Sequence, residues 1–109
     1  MPYIPPQDVT APQERWTLHR TLVDAGPDTP AYALGTWDGA RCMAARWNGN
    51  DDNPTGWPRI YVHPCWHILD ERLWDAVVAL LPDYRDKIDA IRFLNHAAET
   101  EGADAAERR

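Results

Sequence analysis

Serine is absent from this 109-residue chain, lysine and phenylalanine occur once each, and cysteine and methionine twice each. These scarcities exclude whole classes of chemistry. Without serine there is no serine nucleophile, and no Gly-rich loop precedes a helix to cradle a phosphate. Cys42 and Cys65 do not make a disulfide framework, and a chain with 44% apolar residues needs none to fold. They read as free thiols of a reducing compartment. The first residues also lack the basic and then apolar run of a signal peptide, so the expectation is cytoplasmic. No apolar stretch approaches the roughly 18 residues of a membrane span. Positive charge is short as well: eleven basic residues against seventeen acidic give a net charge of −6. Such a field repels phosphate backbones, so no direct nucleic-acid binding is expected, and it suits a basic protein surface.

What the chain has in quantity is tryptophan, six in all, and proline, ten in all. The tryptophans are large burial units that make the chain globular, and the prolines punctuate it. Pro2, Pro5, Pro6 and Pro12 make residues 1–14 an extended arm. Residues 15–23 alternate as a strand with Trp16, Leu18 and Leu22 on one face. A helix over 11–25 is the rival reading, because Thr10 and Gln13 have capping-box spacing and Gly26-Pro27 resembles a stop. Residues 31–37 and 40–47 are strands joined by Asp38-Gly39, the pair a type I′ hairpin requires. That register puts Tyr32, Leu34, Met43, Ala45 and Trp47 on one face, the expected core. Ala33, Gly35, Cys42 and Ala44 fall on the other, small enough for another element to approach.

Residues 48–58 carry turn chemistry throughout and predict a surface loop. Residues 59–63 read as a strand with Ile60 and Val62 opposite Tyr61, Pro64 interrupts it, and 66–69 resumes extended structure. Asp70 caps a helix to Leu81, whose stripe is Leu69, Leu73, Val77, Leu80 and Leu81, and Pro82 ends it. A second helix over 83–98 aligns Tyr84, Ile88, Ile91 and Leu94, with Phe93 pointing away. Residues 99–109 hold no large apolar side chain and are expected to be disordered. The prediction is an α+β fold over a single domain, 15–98: a small antiparallel meander sheet of three to four strands followed by two C-terminal helices.

One cluster looks chemical. At period two, His63, Cys65 and His67 share a strand face, with Cys42 a possible fourth donor, so a small metal-binding protein or enzyme is the alternative reading. Successive ligands on a strand stand about 6–7 Å apart, too wide for a tetrahedral zinc with bonds of about 2.0–2.3 Å, unless Pro64 kinks the chain. A buried Cys65 beside hydrogen-bonded histidines is the simpler outcome. A Cys65–His nucleophile lacks an orienting third group, and Asn50-Asp51-Asp52-Asn53 lacks the calcium-loop pattern. No cofactor is expected.

Binding is the stronger expectation. A small domain cannot hide six tryptophans completely, and exposed Trp is enriched at binding hot spots. Trp57, between Gly56 and Pro58, is the first candidate, with Arg59 and Tyr61 following it. Phe93, with Arg92 and Arg85 nearby, and Trp37 beside the hairpin turn are the others. The structural alternatives are a Trp57 folded back as a loop anchor, a Phe93 covered by the arm, and a Trp37 packed across the hairpin.

The strings Gly35-Thr-Trp-Asp-Gly39, Ala45-Arg-Trp-Asn-Gly49 and Gly56-Trp-Pro58, followed by Trp66-His-Ile-Leu69 before a helix, resemble small uncharacterised accessory proteins of bacterial plasmids, prophages and integrative elements. The resemblance spans roughly residues 15–81 and transfers no catalytic residue. It implies a mobile-element accessory protein, many of which are inhibitors or adaptors, anti-defence proteins such as CRISPR inhibitors among them. The resulting expectation is a non-enzymatic protein-binding module, monomer or homodimer, that occludes a partner surface.

Overall fold

The computed structural model describes residues 4–61 and 63–107, with side chains as far as Asn95. Residues of the 11–25 stretch form a strand, β1 (Trp16–Asp24), which is followed by β2 (Pro30–Trp37) and β3 (Ala40–Trp47). Asp38 and Gly39 join the last two with φ of +52° and +85°, the positive pair that a type I′ turn needs. The register then runs without interruption from Trp37 opposite Ala40 to Pro30 opposite Trp47. β4 (Arg59–Ile60) and β5 (His63–Pro64) form a separate small ladder, and β6 (His67–Ile68) pairs with Ala44 and Ala45. The main sheet is antiparallel in the order β1-β2-β3-β6, and two helices follow it, α1 (Trp74–Val78) and α2 (Tyr84–Glu107). This is the expected α+β layout. Residues 99–107 of the tail expected to be disordered are the last part of α2, and 108–109 lie outside the described residues.

The sheet has two cores. Alternation along β2 and β3 sends Ala31, Ala33, Cys42 and Ala44 to one side, where Val9, Trp16 and Trp66 cover them. Leu34 and Met43 go to the other side, under Val77, Val78 and Leu81 from the α1 region and Ala90 and Leu94 of α2. Both faces are therefore buried, and the small-residue face is closed by tryptophans instead of a helix. The Trp16 ring lies so close to Gly35 that a Cβ there would collide with it and with the Thr17 carbonyl.

Several expectations are corrected. Trp16 and Leu18 join the tryptophan core, but Leu22 and Val23 join the helix-side core. Register shifts between Leu18 and Arg20, and between Thr21 and Val23, each insert a bulge that breaks the alternation of β1. Residues 59–63 are not one strand, because Tyr61 takes φ +57° and turns the chain back so that Arg59 meets Pro64. The helix expected from Asp70 opens as a 3-10 turn, Glu71–Leu73, capped by the Asp70 carboxylate on the Arg72 N–H at 2.9 Å, and only Trp74–Val78 is α-helical. Within its stripe Leu73 and Leu80 are exposed, since the short helix turns only Val77 and Val78 inward. In α2 the inward residues are Ala90 and Leu94, whereas Tyr84 and Ile91 are exposed. The methyl group of fully buried Ala90 permits close approach of α2 to β3, and that contact selects the inward face.

The proline-rich segment from Ile4 is docked. It makes a 3-10 turn over Pro6–Asp8, buries Val9, and receives hydrogen bonds from the Trp66 indole at the Val9 carbonyl (2.6 Å) and from the Trp66 N–H at the Ala11 carbonyl (2.9 Å).

Candidate functional site

The long loop after β3 is held from beneath by Arg46, which is 2% exposed. Its guanidinium donates to the Cys65 carbonyl at 2.7 Å and to the Thr55 carbonyl, and burial lowers its pKa from the ordinary value. No carboxylate faces it across an ion pair among the described residues. A buried cation anchored on two carbonyls ties the two ends of the 55–65 segment to β3. Buried Asn48 donates to Asp24 Oδ1 (3.1 Å) and the Gly26 carbonyl (3.0 Å), and Asn50 Oδ1 accepts the N–H groups of Asp52 (2.9 Å) and Asn53 (2.7 Å). The residues weighed as a calcium loop therefore close an Asx turn.

From this base the chain leaves the sheet as the β4–β5 hairpin. Trp57 exchanges two backbone hydrogen bonds with Trp47, at 2.7 and 2.9 Å, so the two indoles share a side at the end of β3. Trp57 is 53% exposed, and the Arg59 guanidinium carbon lies 4.5 Å from its ring centroid, a cation–π contact. Ile60 is 57% exposed, and Tyr61, at the tip, is 88% exposed. Neither core includes any of these side chains. Between the hairpin and the docked N-terminal segment runs a groove of about 570 Å³, lined by Val9, Pro12, Ile60 and Pro64 with Asp8 and Glu14 among its walls.

Trp57, Arg59 and Tyr61 are thus brought together, whereas Phe93 and Trp37 lie elsewhere. Half-buried Phe93 faces the sheet, stacked on His19 at 4.7 Å with the Arg41 guanidinium 4.6 Å from its centroid. Strand residues cover it, not the N-terminal arm. Trp37 packs beside Trp16 at 6.3 Å, in the tryptophan core.

The four metal-ligand candidates do not converge. Cys42 and Cys65 are buried free thiols, His63 is exposed on β5, and His67 is exposed with Nδ1 3.1 Å from the Ile68 carbonyl. Among the described residues no group of three or more His, Cys, Asp or Glu side chains is placed to hold a metal ion. His63 pairs with Ile60 of β4, Cys65 bridges to Ala11, and His67 pairs with Ala45 of β3, so the three do not share one strand face. Burial pushes the Cys42 thiol up to about 11 and also raises that of Cys65, against the opposing charge of Arg46. Both thiols are therefore protonated and poor nucleophiles at neutral pH.

Sequence reading missed Arg46, Ile60 and the acidic groove. Arg46 had a signal, since it occupies a polar position on the small-residue face of β3 beyond Cys42 and Ala44. The groove had none, because residues 8–14 and 60–64 meet only in the fold.

The fold places the chain among α+β proteins with an antiparallel meander. No family model matches it, and neither a curated protein nor a solved structure matches it. No described helix is long and apolar enough to cross a membrane.

Proposed function

We propose that this chain is a non-enzymatic binding module, an inhibitor or adaptor of a mobile genetic element, that occludes a basic surface of a protein partner with its β4–β5 hairpin. An anti-defence role, such as inhibition of a CRISPR complex, falls within this reading. The observation that carries it is Tyr61. A bulky residue in the left-handed region costs on the order of 1–3 kcal/mol unless the fold gains by it, and here the side chain is almost wholly in solvent. Trp57 and Ile60 add exposed apolar surface on the same hairpin, the residue types that anchor protein interfaces. Asp8 and Glu14 in the adjoining groove, and a net charge of −6, favour a cationic partner segment.

The test is capture of a partner by the tagged chain, compared with Trp57→Ala and Tyr61→Ala. Both side chains stand outside the cores, so the variants should keep the circular dichroism and melting temperature of the parent. Each is expected to weaken capture by about thirtyfold, the size of a hot-spot loss. Binding should also decline with added salt as the carboxylates are screened. Capture that is equal for the parent and both variants would sink this reading.

A further inference from the structure

On the opposite, helix-covered side of the sheet a second cavity of about 630 Å³ opens between β1–β3 and α2. Thr17, His19, Thr36 and Arg41 line it from the strands, Asp89, Arg92 and Phe93 from the helix. We propose that this groove is a binding site for a phosphate-bearing small molecule, separate from the hairpin surface.

Charge and geometry carry the inference. Arg41 and Arg92 line the groove, and Arg20 reaches α2 beside it. Arg20 is engaged by Asp86 at 2.6 Å and approaches Asp89 at 3.9 Å. Arg20 offsets one of these two carboxylates, and Arg41 and Arg92, which make no ion pair among the described residues, leave the region with three positive charges against two negative. In a chain with seventeen acids to eleven bases, two unpaired guanidinium groups facing one cavity are an outlier against the overall field.

The supporting parts suit an oxyanion. Arg41 is half-buried and rests on Phe93, which is stacked in turn on His19, so its guanidinium is held in place before any ligand arrives. Thr17 and Thr36, opposite each other on β1 and β2, add hydroxyl donors on the floor. The bulge after Leu18 makes the arrangement possible, because the inserted residue lets both His19 and Arg20 face α2. Guanidinium forks with hydroxyl donors match phosphate oxygens, and the cavity is of the size that small-molecule sites have.

Inorganic pyrophosphate is the probe. Calorimetric titration of the full chain should show saturable binding, and amide signals of Thr17, Arg41 and Phe93 should move together in a nitrogen–proton correlation spectrum. Arg92→Gln, at an exposed position that no core uses, should weaken binding at least tenfold, as should Arg41→Gln. Arg85→Gln, on the same helix but outside the groove, should bind as the parent does. Absence of saturable binding, unchanged affinity in Arg92→Gln, or equal loss in Arg85→Gln would each overturn the assignment. Because Trp57 and Tyr61 play no part in this site, Trp57→Ala should bind pyrophosphate normally, which keeps its failure distinct from failure of the hairpin reading.

Discussion

The two faces of the sheet are made by the same strands and closed by opposite means. On the tryptophan side, β2 and β3 present alanine, glycine and cysteine, and the volume is supplied by Trp16 and Trp66, whose rings stand 6.0 Å apart. On the helix side the strands present Leu34 and Met43, and short aliphatic residues of α1 and α2 complete the layer. The first face concentrates its burial in a few large side chains drawn from distant parts of the chain. The second distributes it over many that are close in sequence, and it leaves apolar surface at its rim, where Tyr32, Leu69, Leu73 and Leu80 line a shallow cavity. A core built on one or two rings is intolerant of their loss; a distributed layer is forgiving at its edge.

The sharpest way to break the comparison is Trp66→Ala. It removes a side chain 2% exposed, together with the indole hydrogen bond that holds the N-terminal segment, and is expected to cost about 3–5 kcal/mol in urea unfolding. A loss near that of an edge substitution would show that the tryptophan face is not a true core.

Cys42, beneath the same tryptophans, supplies a pH-dependent version of the test. Its folded pKa is raised from 9.0 to about 11, so the folded state holds the thiol proton more tightly than the unfolded chain does. The associated stability is fully present below pH 9 and is lost as pH rises toward 11, on the order of 2 kcal/mol for a shift of that size. Unfolding of the parent and of Cys42→Ala, measured across that window, should differ in slope, the variant being flatter. Parallel slopes would mean that the thiol is hydrated in the fold.

The smallest effect belongs to the helix-side rim. Leu80 is 61% exposed, and Leu80→Ser should change stability by no more than about 0.5 kcal/mol. A larger loss would place Leu80 inside the layer and remove the contrast between the faces.

Local patterns in the chain were a good guide where the backbone obeyed its default geometry. Asp38-Gly39 has one low-strain use between two alternating runs, and the register of β2 and β3 follows from it. Asp70 acts as a cap because its short carboxylate reaches an N–H two residues on. The guide failed where one residue departed from that geometry. The bulges in β1 moved Leu22 to the other face, the left-handed Tyr61 divided a predicted strand, and His63, Cys65 and His67 went to separate pairings with β4, Ala11 and β3. Helical periodicity points Phe93 away from the stripe of Tyr84, Ile88, Ile91 and Leu94, but the helix settles on the sheet at Ala90, and this brings Phe93 against His19 and Arg41.

The sequence by itself determined the strand-then-helix order, the hairpin, the acidic field and the absence of a serine nucleophile, because each depends on residue type or on neighbours a few positions apart. Only the tertiary structure decided which of the tryptophans remain exposed, how the Arg46 guanidinium is hydrogen-bonded by distant carbonyls, and which side chains meet in the two grooves. Those outcomes depend on contacts between segments far apart in the chain, and such contacts are set by the packing of the whole domain, where one bulge or one small residue redirects every side chain beyond it.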